Sequence, residues 1–185
     1  MSQTNERFFV ALLPSQAIQD YANEVKQVFV DRYNSRAALK SPPHITLQPP
    51  FEWRTEAQLH LSETLSEFAA QFAPISIMLS GFGAFAPRVI YINVTKSAAL
   101  LTLQAALMHR LEESLGIVSR SAKTRSYVPH MTVGFRDLTP ENFRAAWAEF
   151  QSQPLELEFT ATHLTLLQHD GQRWRVDAEF PFLAS

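Results

Sequence analysis

Two short stretches of this sequence repeat one another, and both contain residues that could do chemistry. Pro43-His44-Ile45-Thr46-Leu47 matches Pro129-His130-Met131-Thr132-Val133, and the two histidines lie 86 residues apart. Each stretch reads proline, histidine, apolar residue, threonine, apolar residue. Histidine is the side chain whose ordinary pKa lies close to neutral pH, so it can accept or donate a proton there. A matched pair of histidines therefore predicts acid–base chemistry.

Both stretches are typical of β-strands, in which successive side chains point to opposite faces. His44 and Thr46 then share one face, about 7 Å apart along the strand, while Ile45 and Leu47 share the other. The second stretch repeats this arrangement with His130 and Thr132 on one face. We expect the apolar faces to pack under helices and the other faces to present an imidazole and a hydroxyl each.

The composition narrows the kinds of site that are possible. The 185 residues include six histidines, five glycines and no cysteine, which excludes disulfides, thiolate metal sites and cysteine nucleophiles. The glycines match neither the dinucleotide-binding nor the phosphate-loop pattern, and there is no H-E-x-x-H zinc motif. We therefore expect no cofactor and no metal.

Charge and hydropathy narrow the possible partners and the location. A net charge of −2 and a pI of about 6.3 do not favour binding of long nucleic acid, although a local basic patch could bind a small anion. The apolar run Phe8 to Leu13 is too short to span a membrane. We expect a cytoplasmic monomer that contacts no membrane, and a small anionic ligand remains open.

The hydrophobic pattern predicts alternating strands and helices in the order β-α-β-α-β-β-α-β-α-β-β. Ser15, Thr55, Ser97 and Thr139 are the expected helix starts. The predicted strands span residues 8–13, 44–48, 75–85, 89–94, 127–135, 155–167 and 174–180, with 117–118 as a possible short one. The predicted helices run from these starts to about residues 33, 72, 115 and 151.

The order of predicted elements in the first half of the chain repeats in the second half. A unit of helix, polar break, proline, strand, helix and hairpin occurs over residues 15–94 and again over 97–180, and each unit contains one of the two matched Pro-His-x-Thr motifs. This predicts a single two-lobed α+β domain over residues 1–185.

A third His-x-Thr triplet, His163-Leu164-Thr165, shows that the triplet alone is weak evidence. It lacks the preceding proline and has no counterpart in the other half of the chain, so we interpret it as structural. The remaining histidines, His60, His109 and His169, are predicted to lie on the surface.

The paired motifs resemble those of the two-histidine (2H) phosphoesterase superfamily, whose mark is a pair of His-x-Thr/Ser motifs. Within it, the sequence is most similar to the 2′-5′ RNA ligase-like, RNA 2′,3′-cyclic phosphodiesterase group. The similarity includes the opening Arg7-Phe8-Phe9-Val10-Ala11-Leu12-Leu13-Pro14 and the block from Pro42 to Phe51. The residues after Thr46, Gln48-Pro49-Pro50, depart from it, because many members have a basic residue there.

The resemblance implies a fold and a reaction. The implied fold is two similar lobes, each an antiparallel sheet with outer helices, facing across a central cleft. The implied reaction is metal-independent hydrolysis, with His130 as base and His44 as acid, while from the residues alone the two roles are interchangeable. Thr46 and Thr132 would donate hydrogen bonds to the phosphate oxygens.

Further residues near the motifs are candidates for binding substrate. Arg120, Lys123 and Arg125 precede the second motif and Arg136 follows it, and as a group they could attract a phosphate. The best single candidate among them is Arg125. The candidate aromatic binders, which could stack on a nucleobase, are Phe51, Trp53, Phe85 and Tyr91, and Tyr127 is a further candidate.

Three function classes remain open at this point. The first is a phosphoric diester hydrolase acting on 2′,3′-cyclic phosphates of RNA ends or nucleotides. The same fold could instead act on 2′-5′ linkages or other cyclic phosphates. The second class is a non-catalytic module that binds RNA ends or nucleotides, and the third is a metal enzyme with histidine ligands.

Overall fold

Two four-stranded antiparallel sheets carry the two motifs. The computed structural model describes residues 4–119 and 124–185. The strands are β1 (Asn5–Leu12), β2 (Ile45–Arg54), β3 (Ile75–Phe85), β4 (Val89–Val94), β5 (His130–Gly134), β6 (Glu156–Ala161), β7 (His163–His169) and β8 (Trp174–Pro181). The α-helices are α1 (Gln16–Tyr33), α2 (Gln58–Ala69), α3 (Ala98–Leu115) and α4 (Pro140–Phe150), with short 3₁₀ helices at Ala37–Lys40 and Thr55–Ala57.

The sheets place the two motifs at equivalent positions. The first sheet has the order β2-β1-β7-β8 and the second has the order β5-β4-β3-β6. The first motif enters edge strand β2 of one sheet, and the second motif forms edge strand β5 of the other. These two edge strands contact each other, so the motifs meet where the sheets come together.

Each sheet combines strands from both halves of the chain, so neither repeat unit, 15–94 or 97–180, forms a sheet of its own. The helices also cross over. Helices α2 and α3 pack on the first sheet, whereas α1 and α4 pack on the second. The expected fold class is confirmed: the molecule is α+β, with two antiparallel sheets, outer helices and a central cleft.

The main core lies between the sheets and their helices. Phe8, Val10 and Leu12 alternate along β1 and are fully buried, as expected for one face of a strand packed under helices. Helix α1 contributes a stripe at helical spacing that includes Ala22, Val25 and Phe29. Burial of these apolar faces leaves the opposite faces of the strands for the site.

Strand β2 continues through Pro49-Pro50, where the sequence predicted an end at Gln48. It runs on to Arg54 and pairs with β1 along its length, with register shifts between Phe8 and Ala11. An edge strand tolerates proline, because an N–H that faces away from the sheet forms no ladder bond. The prediction was therefore wrong about the end of this strand.

The predicted strand 155–167 is two strands that belong to different sheets. Strand β6 ends at Ala161 and pairs with β3, and β7 begins at His163 and pairs with β1. The chain changes sheets at Thr162, whose carbonyl accepts a hydrogen bond from the Phe182 N–H at 2.8 Å. Hydrophobic alternation alone could not reveal this crossing, because both strands continue the same pattern.

Smaller differences have local causes. Residues 117–118 form no strand, because the Ile117 N–H closes helix α3 by donating to the Leu111 carbonyl after Gly116 in a left-handed conformation. Strand β5 starts at His130 rather than at residue 127, since Pro129 has no N–H to pair. The helix predicted over 55–72 begins as a 3₁₀ turn and ends at Ala69.

Within the described ranges, 4–119 and 124–185, the helices are too short or too polar to cross a bilayer.

Gly134 gives a test of how closely helix α1 packs on the second sheet. A Cβ at this position would lie 2.5 Å from Cε1 of the buried Phe29 ring. We expect Gly134→Ala to lower the free energy of unfolding by about 1–3 kcal/mol in chemical denaturation, because the ring has to move. In a protein that already carries Phe29→Ala, Gly134→Ala should lower the free energy of unfolding much less. An equal loss of stability with and without Phe29→Ala would contradict this account.

Candidate active site

The two motif histidines are held in the same way. His44 precedes the first residue of β2 and His130 is the first residue of β5. The His44 Nδ1 lies 2.7 Å from the Pro42 carbonyl oxygen, and the His130 Nδ1 lies 2.7 Å from the Val128 carbonyl oxygen. Each ring therefore donates to the carbonyl two residues before it.

These hydrogen bonds select the tautomer of each ring. A carbonyl oxygen only accepts, so Nδ1 carries the proton and, in the neutral ring, Nε2 carries the lone pair. The motif prolines explain why the carbonyl is in place, since a residue that precedes proline is confined to extended backbone. Pro42 and Val128 both precede such a proline, and Pro43 and Pro129 are buried.

The predicted alternation of faces is confirmed in both motif strands. Ile45 and Leu47 are buried in the main core, whereas His44 and Thr46 are half-buried on the other face. The second motif behaves alike: Met131 and Val133 are fully buried, and His130 and Thr132 are half-buried.

The surroundings of both histidines favour their neutral form. Burial lowers the pKa of His130, and it is also the largest cause that lowers the pKa of His44, to about 4. The charges of Lys26 and of His130 lower the His44 pKa further, so the two rings lie within electrostatic reach of each other. The backbone hydrogen bonds act in the opposite direction but do not outweigh burial.

Lys26 is a buried cation that the sequence analysis did not single out. It lies on α1 with only 2% of its surface exposed, and its Nζ donates to the Ser41 carbonyl at 2.9 Å. Burial lowers its pKa to about 8. Lys26 thus fixes the segment that leads into the first motif and places a positive charge near His44. Its helical position among apolar residues gave no signal, because lysines on such a pattern usually reach solvent.

Aromatic rings surround His130. Its ring centroid lies 5.0 Å from that of Phe85 and 5.1 Å from that of Tyr91. Tyr91 is the cross-strand neighbour of Thr132 and of Gly83, and a Cβ at Gly83 would overlap the Tyr91 ring. Tyr91 is therefore buried behind His130 as a support, whereas Phe85 remains 40% exposed beside it.

One aromatic ring supports His44 in a similar way. The Phe9 ring centroid lies 4.7 Å from that of His44. Phe9 belongs to a small buried cluster with Ala11 and Leu167 that is separate from the main core. This cluster packs beside the first motif, on the face of the first sheet opposite the main core.

Tyr127 links the two motifs rather than lying in the cleft as an open binder. Its hydroxyl donates to the Thr46 carbonyl at 2.8 Å, and burial raises its pKa. Tyr127 lies just before the second motif, so one side chain connects both motif segments. The Gln104 amide donates to the carbonyl of the next residue, Leu47, at 3.3 Å. The structure thus gives Tyr127 a bracing role that the sequence did not predict, and substrate binding by Tyr127 stays a prediction.

Two predicted aromatic binders belong to the core. Phe51 packs on the main core with its ring centroid 6.2 Å from that of the buried Phe8, because it lies opposite Phe8 in the register of β1 and β2. Trp53 also packs against the core, and its indole N–H donates to the Ala57 carbonyl at 2.9 Å. Both rings therefore contribute to packing on the core, and base stacking by either ring stays a prediction.

The predicted basic patch is only partly described. Arg120 and Lys123 lie outside the described residues, and Arg125 is exposed in the segment that leads to the second motif. Arg136 lies beyond the far end of β5 from His130, in a left-handed conformation, with its guanidinium 5.0 Å from the centroid of the Phe135 ring. The structure thus places Arg136 at the opposite end of the motif strand, and Arg125 stays a prediction.

The third triplet differs from the two motifs in its contacts. The His163 Nε2 lies 3.1 Å from a Glu179 carboxylate oxygen, and its Nδ1 lies 3.0 Å from the Thr162 hydroxyl. Neither contact repeats the bond to the carbonyl two residues before, which the motif histidines make. This supports its interpretation as structural.

The arrangement offers two tautomerically matched imidazoles and two hydroxyls on facing edge strands. Such a set can accept a proton at one Nε2 and donate one at the other, on opposite sides of a bound group. Among residues 4–119 and 124–185, no cluster of three or more His, Cys, Asp or Glu has the grouping of a metal site.

Comparison with known proteins identifies the class. The sequence profile of the 2′-5′ RNA ligase superfamily matches residues 14–173, and the chain belongs to this family of 2H phosphoesterases. A relative from Geobacillus thermodenitrificans named "Putative phosphoesterase" is 33% identical over 174 residues, covering 92% of each chain. One from Geobacillus kaustophilus with a similar name is 32% identical over 178 residues, covering 94% of this chain and 95% of the relative.

Solved structures share the fold. The E. coli LigT structure complexed with 3′-AMP aligns with a TM-score of 0.70 at 17% identity, covering 98% of this chain and all of that one. The TT0787 protein of Thermus thermophilus aligns with a TM-score of 0.69 at 18% identity, covering 97% of this chain and 99% of that one. The resemblance predicted from the two motifs is thereby confirmed.

The charge of Lys26 gives the first prediction for the site. Lys26→Met should raise the pKa of His44 above about 4, because the substitution removes a nearby positive charge. Titration of the His44 ring protons by NMR measures this shift. Lys40→Met removes an exposed lysine from the same segment and should leave the pKa of His44 unchanged. An unaltered His44 pKa in Lys26→Met would contradict the assignment.

The brace from Tyr127 gives the second prediction. Tyr127→Phe should lower the free energy of unfolding by about 1 kcal/mol and also reduce kcat/KM on a phosphodiester, because the two motif segments lose their link. Tyr33→Phe is the matched control: it removes a hydroxyl that donates to Glu149 at 2.6 Å, away from both motifs. It should destabilise the fold without changing kcat/KM. Equal kinetic losses in both variants would refute the brace.

Proposed function

We propose that this protein is a metal-independent cyclic phosphodiesterase that hydrolyses 2′,3′-cyclic phosphates of RNA ends or nucleotides. The observation that carries the proposal is that His44 and His130 make the same hydrogen bond: each Nδ1 donates to the carbonyl two residues earlier, 2.7 Å away. This leaves Nε2 as the free nitrogen of both rings on facing strands, where a neutral ring can accept a proton and a protonated ring can donate one from the other side of the phosphorus.

The reaction proceeds in one displacement. One imidazole takes a proton at Nε2 from water as the water oxygen attacks phosphorus in line with the leaving group. The bond from phosphorus to one ribose oxygen breaks, and the other imidazole, which enters the step protonated at both nitrogens, donates its Nε2 proton to that oxygen. The product is a phosphomonoester beside a new hydroxyl. Thr46 and Thr132 donate hydrogen bonds to the non-bridging oxygens as their charge increases.

Related structures support a nucleotide as ligand. E. coli LigT has been solved in complexes with 3′-AMP, ATP and NADP+. A 3′-nucleotide is what hydrolysis of a 2′,3′-cyclic phosphate gives when the bond to the 2′ oxygen breaks. By the same chemistry we expect a small nucleotide or an RNA terminus to occupy the cleft of this protein.

The two histidines are not electrostatically equivalent. The family resemblance implies His130 as base and His44 as acid. The charges of Lys26 and His130 add to burial at His44, whereas burial is what lowers the pKa of His130. Kinetics on the two alanine variants assign which ring is the acid and which is the base.

A second candidate is a binding module that keeps the cleft without turnover. The half-buried motif side chains and the aromatic rings beside them would suit nucleotide binding. Binding alone does not require the shared tautomer of two histidines, which is why we favour the enzyme. A family member acting on 2′-5′ linkages or on other cyclic phosphates would use the same residues.

The direct test is hydrolysis of a 2′,3′-cyclic nucleotide in excess EDTA. His44→Ala and His130→Ala should each reduce kcat at least about a hundredfold, and Thr46→Ala or Thr132→Ala should each reduce it about a hundredfold. His60→Ala and His109→Ala replace exposed histidines and serve as controls. Turnover that survives both motif substitutions, or that is lost in EDTA, would overturn the proposal.

Substrates with a good leaving group assign the two roles. An activated leaving group such as nitrophenolate does not need protonation, so loss of the acid matters less on a nitrophenyl phosphodiester. The histidine whose alanine variant recovers activity on that substrate is the acid. If the unaltered protein binds the cyclic nucleotide but forms no product, that result would favour the non-catalytic binding module instead.

A further inference from the structure

The face of the first sheet that carries His44 holds a row of rings that the reaction above does not use. The Phe9 ring, which contacts His44, also lies 4.7 Å from the Trp174 ring centroid. Trp174 lies 4.9 Å from the ring of His169, its cross-strand neighbour in the β7–β8 hairpin. The Arg7 guanidinium carbon lies 5.5 Å from the centroid of the Trp174 ring.

The alternation of β1 places this row on the catalytic face. Phe8 and Val10 point into the main core, so Arg7 and Phe9 point to the opposite face. Trp174 packs against the small cluster around Phe9 and not against the main core. Two ring contacts, each 4.7 Å between centroids, connect Trp174 to His44 through Phe9.

The chemistry of this row suits a nucleobase. Trp174 is half-buried, so part of the indole faces solvent, and the planes of the Phe9 and His169 rings are steeply inclined to it, at 74° each. Aromatic rings and arginine guanidinium planes are the surfaces on which splayed-out bases stack. The guanidinium is also attracted to the π face of the indole, which keeps the two planes together. A cyclic phosphate without a base would gain nothing from this surface.

We propose that Trp174, together with Arg7, binds the base of the substrate nucleotide while its phosphate lies between His44 and His130. This inference rests on the proposed function and deepens it, because it limits the substrate class to phosphates that carry a nucleobase. Trp174 is then a specificity-determining residue, and Phe9 is a positioning residue shared by the base and by His44.

Paired substrates test the inference kinetically. Trp174→Ala should raise KM about tenfold to a hundredfold for a 2′,3′-cyclic nucleotide and leave kcat/KM unchanged for methyl riboside 2′,3′-cyclic phosphate, which has no base. Trp174→Phe keeps a stacking ring and should retain most of the affinity. Equal losses on both substrates would show a merely structural role, and no loss on the nucleotide would overturn the inference outright.

Fluorescence separates this inference from the proposed function. The chain has three tryptophans, so titration of a nucleoside 3′-monophosphate should quench emission in the unaltered protein and in Trp147→Phe, but not in Trp174→Phe. Quenching without turnover of any cyclic phosphate would keep the base site and reject the hydrolase. Turnover of a cyclic nucleotide without quenching at Trp174 would keep the hydrolase and reject the base site.

Discussion

The hydrogen bond from each motif histidine to the carbonyl two residues before it is the interaction on which the site depends. It fixes the tautomer, so that Nε2 and not Nδ1 is the nitrogen left free to exchange a proton in both rings. It also explains the motif proline. A proline before the histidine confines the residue preceding it to extended backbone, and that residue supplies the carbonyl. His44 and His130 are thus oriented by local covalent constraint, and the rest of the fold has only to bring the two strands together.

The motif strands could be predicted from the local alternation of apolar and polar residues. The contacts that form when strands pair into sheets could not be predicted in this way. The alternation that buries Ile45 and exposes His44 follows from the strand period of two. The packing of helices and strands brings three further side chains close to the motifs or to their neighbours, those of Lys26, Phe9 and Trp174. The spacing of these residues in the sequence does not indicate their proximity. Tyr127 and Phe51 were assigned to substrate for the same reason: their partners, the Thr46 carbonyl and the Phe8 ring, become visible only in the paired strands.

The two sheets have similar architecture but different electrostatics. Each puts its motif on an edge strand against aromatic rings, as the duplicated pattern of the sequence predicts. Among the residues that the structure describes, the buried cation Lys26 lies beside the first motif alone, and it comes from a helix that packs on the other sheet. A repeat that makes two histidines geometrically alike can therefore still give them different proton affinities, which an acid–base pair needs if each is to do one job.

The exchange of strands between the sheets has a consequence for how the chain folds. The first sheet needs β7 to continue beyond the β1–β2 pair, and the second needs β5 and β6 to continue beyond β3 and β4. Two-stranded units are at best marginally stable, and their open edges invite association. As the ribosome releases the chain, neither sheet can close until residues beyond 130 have emerged. During synthesis, the protein is thus most exposed to aggregation and to chaperones while only its amino-terminal half has emerged.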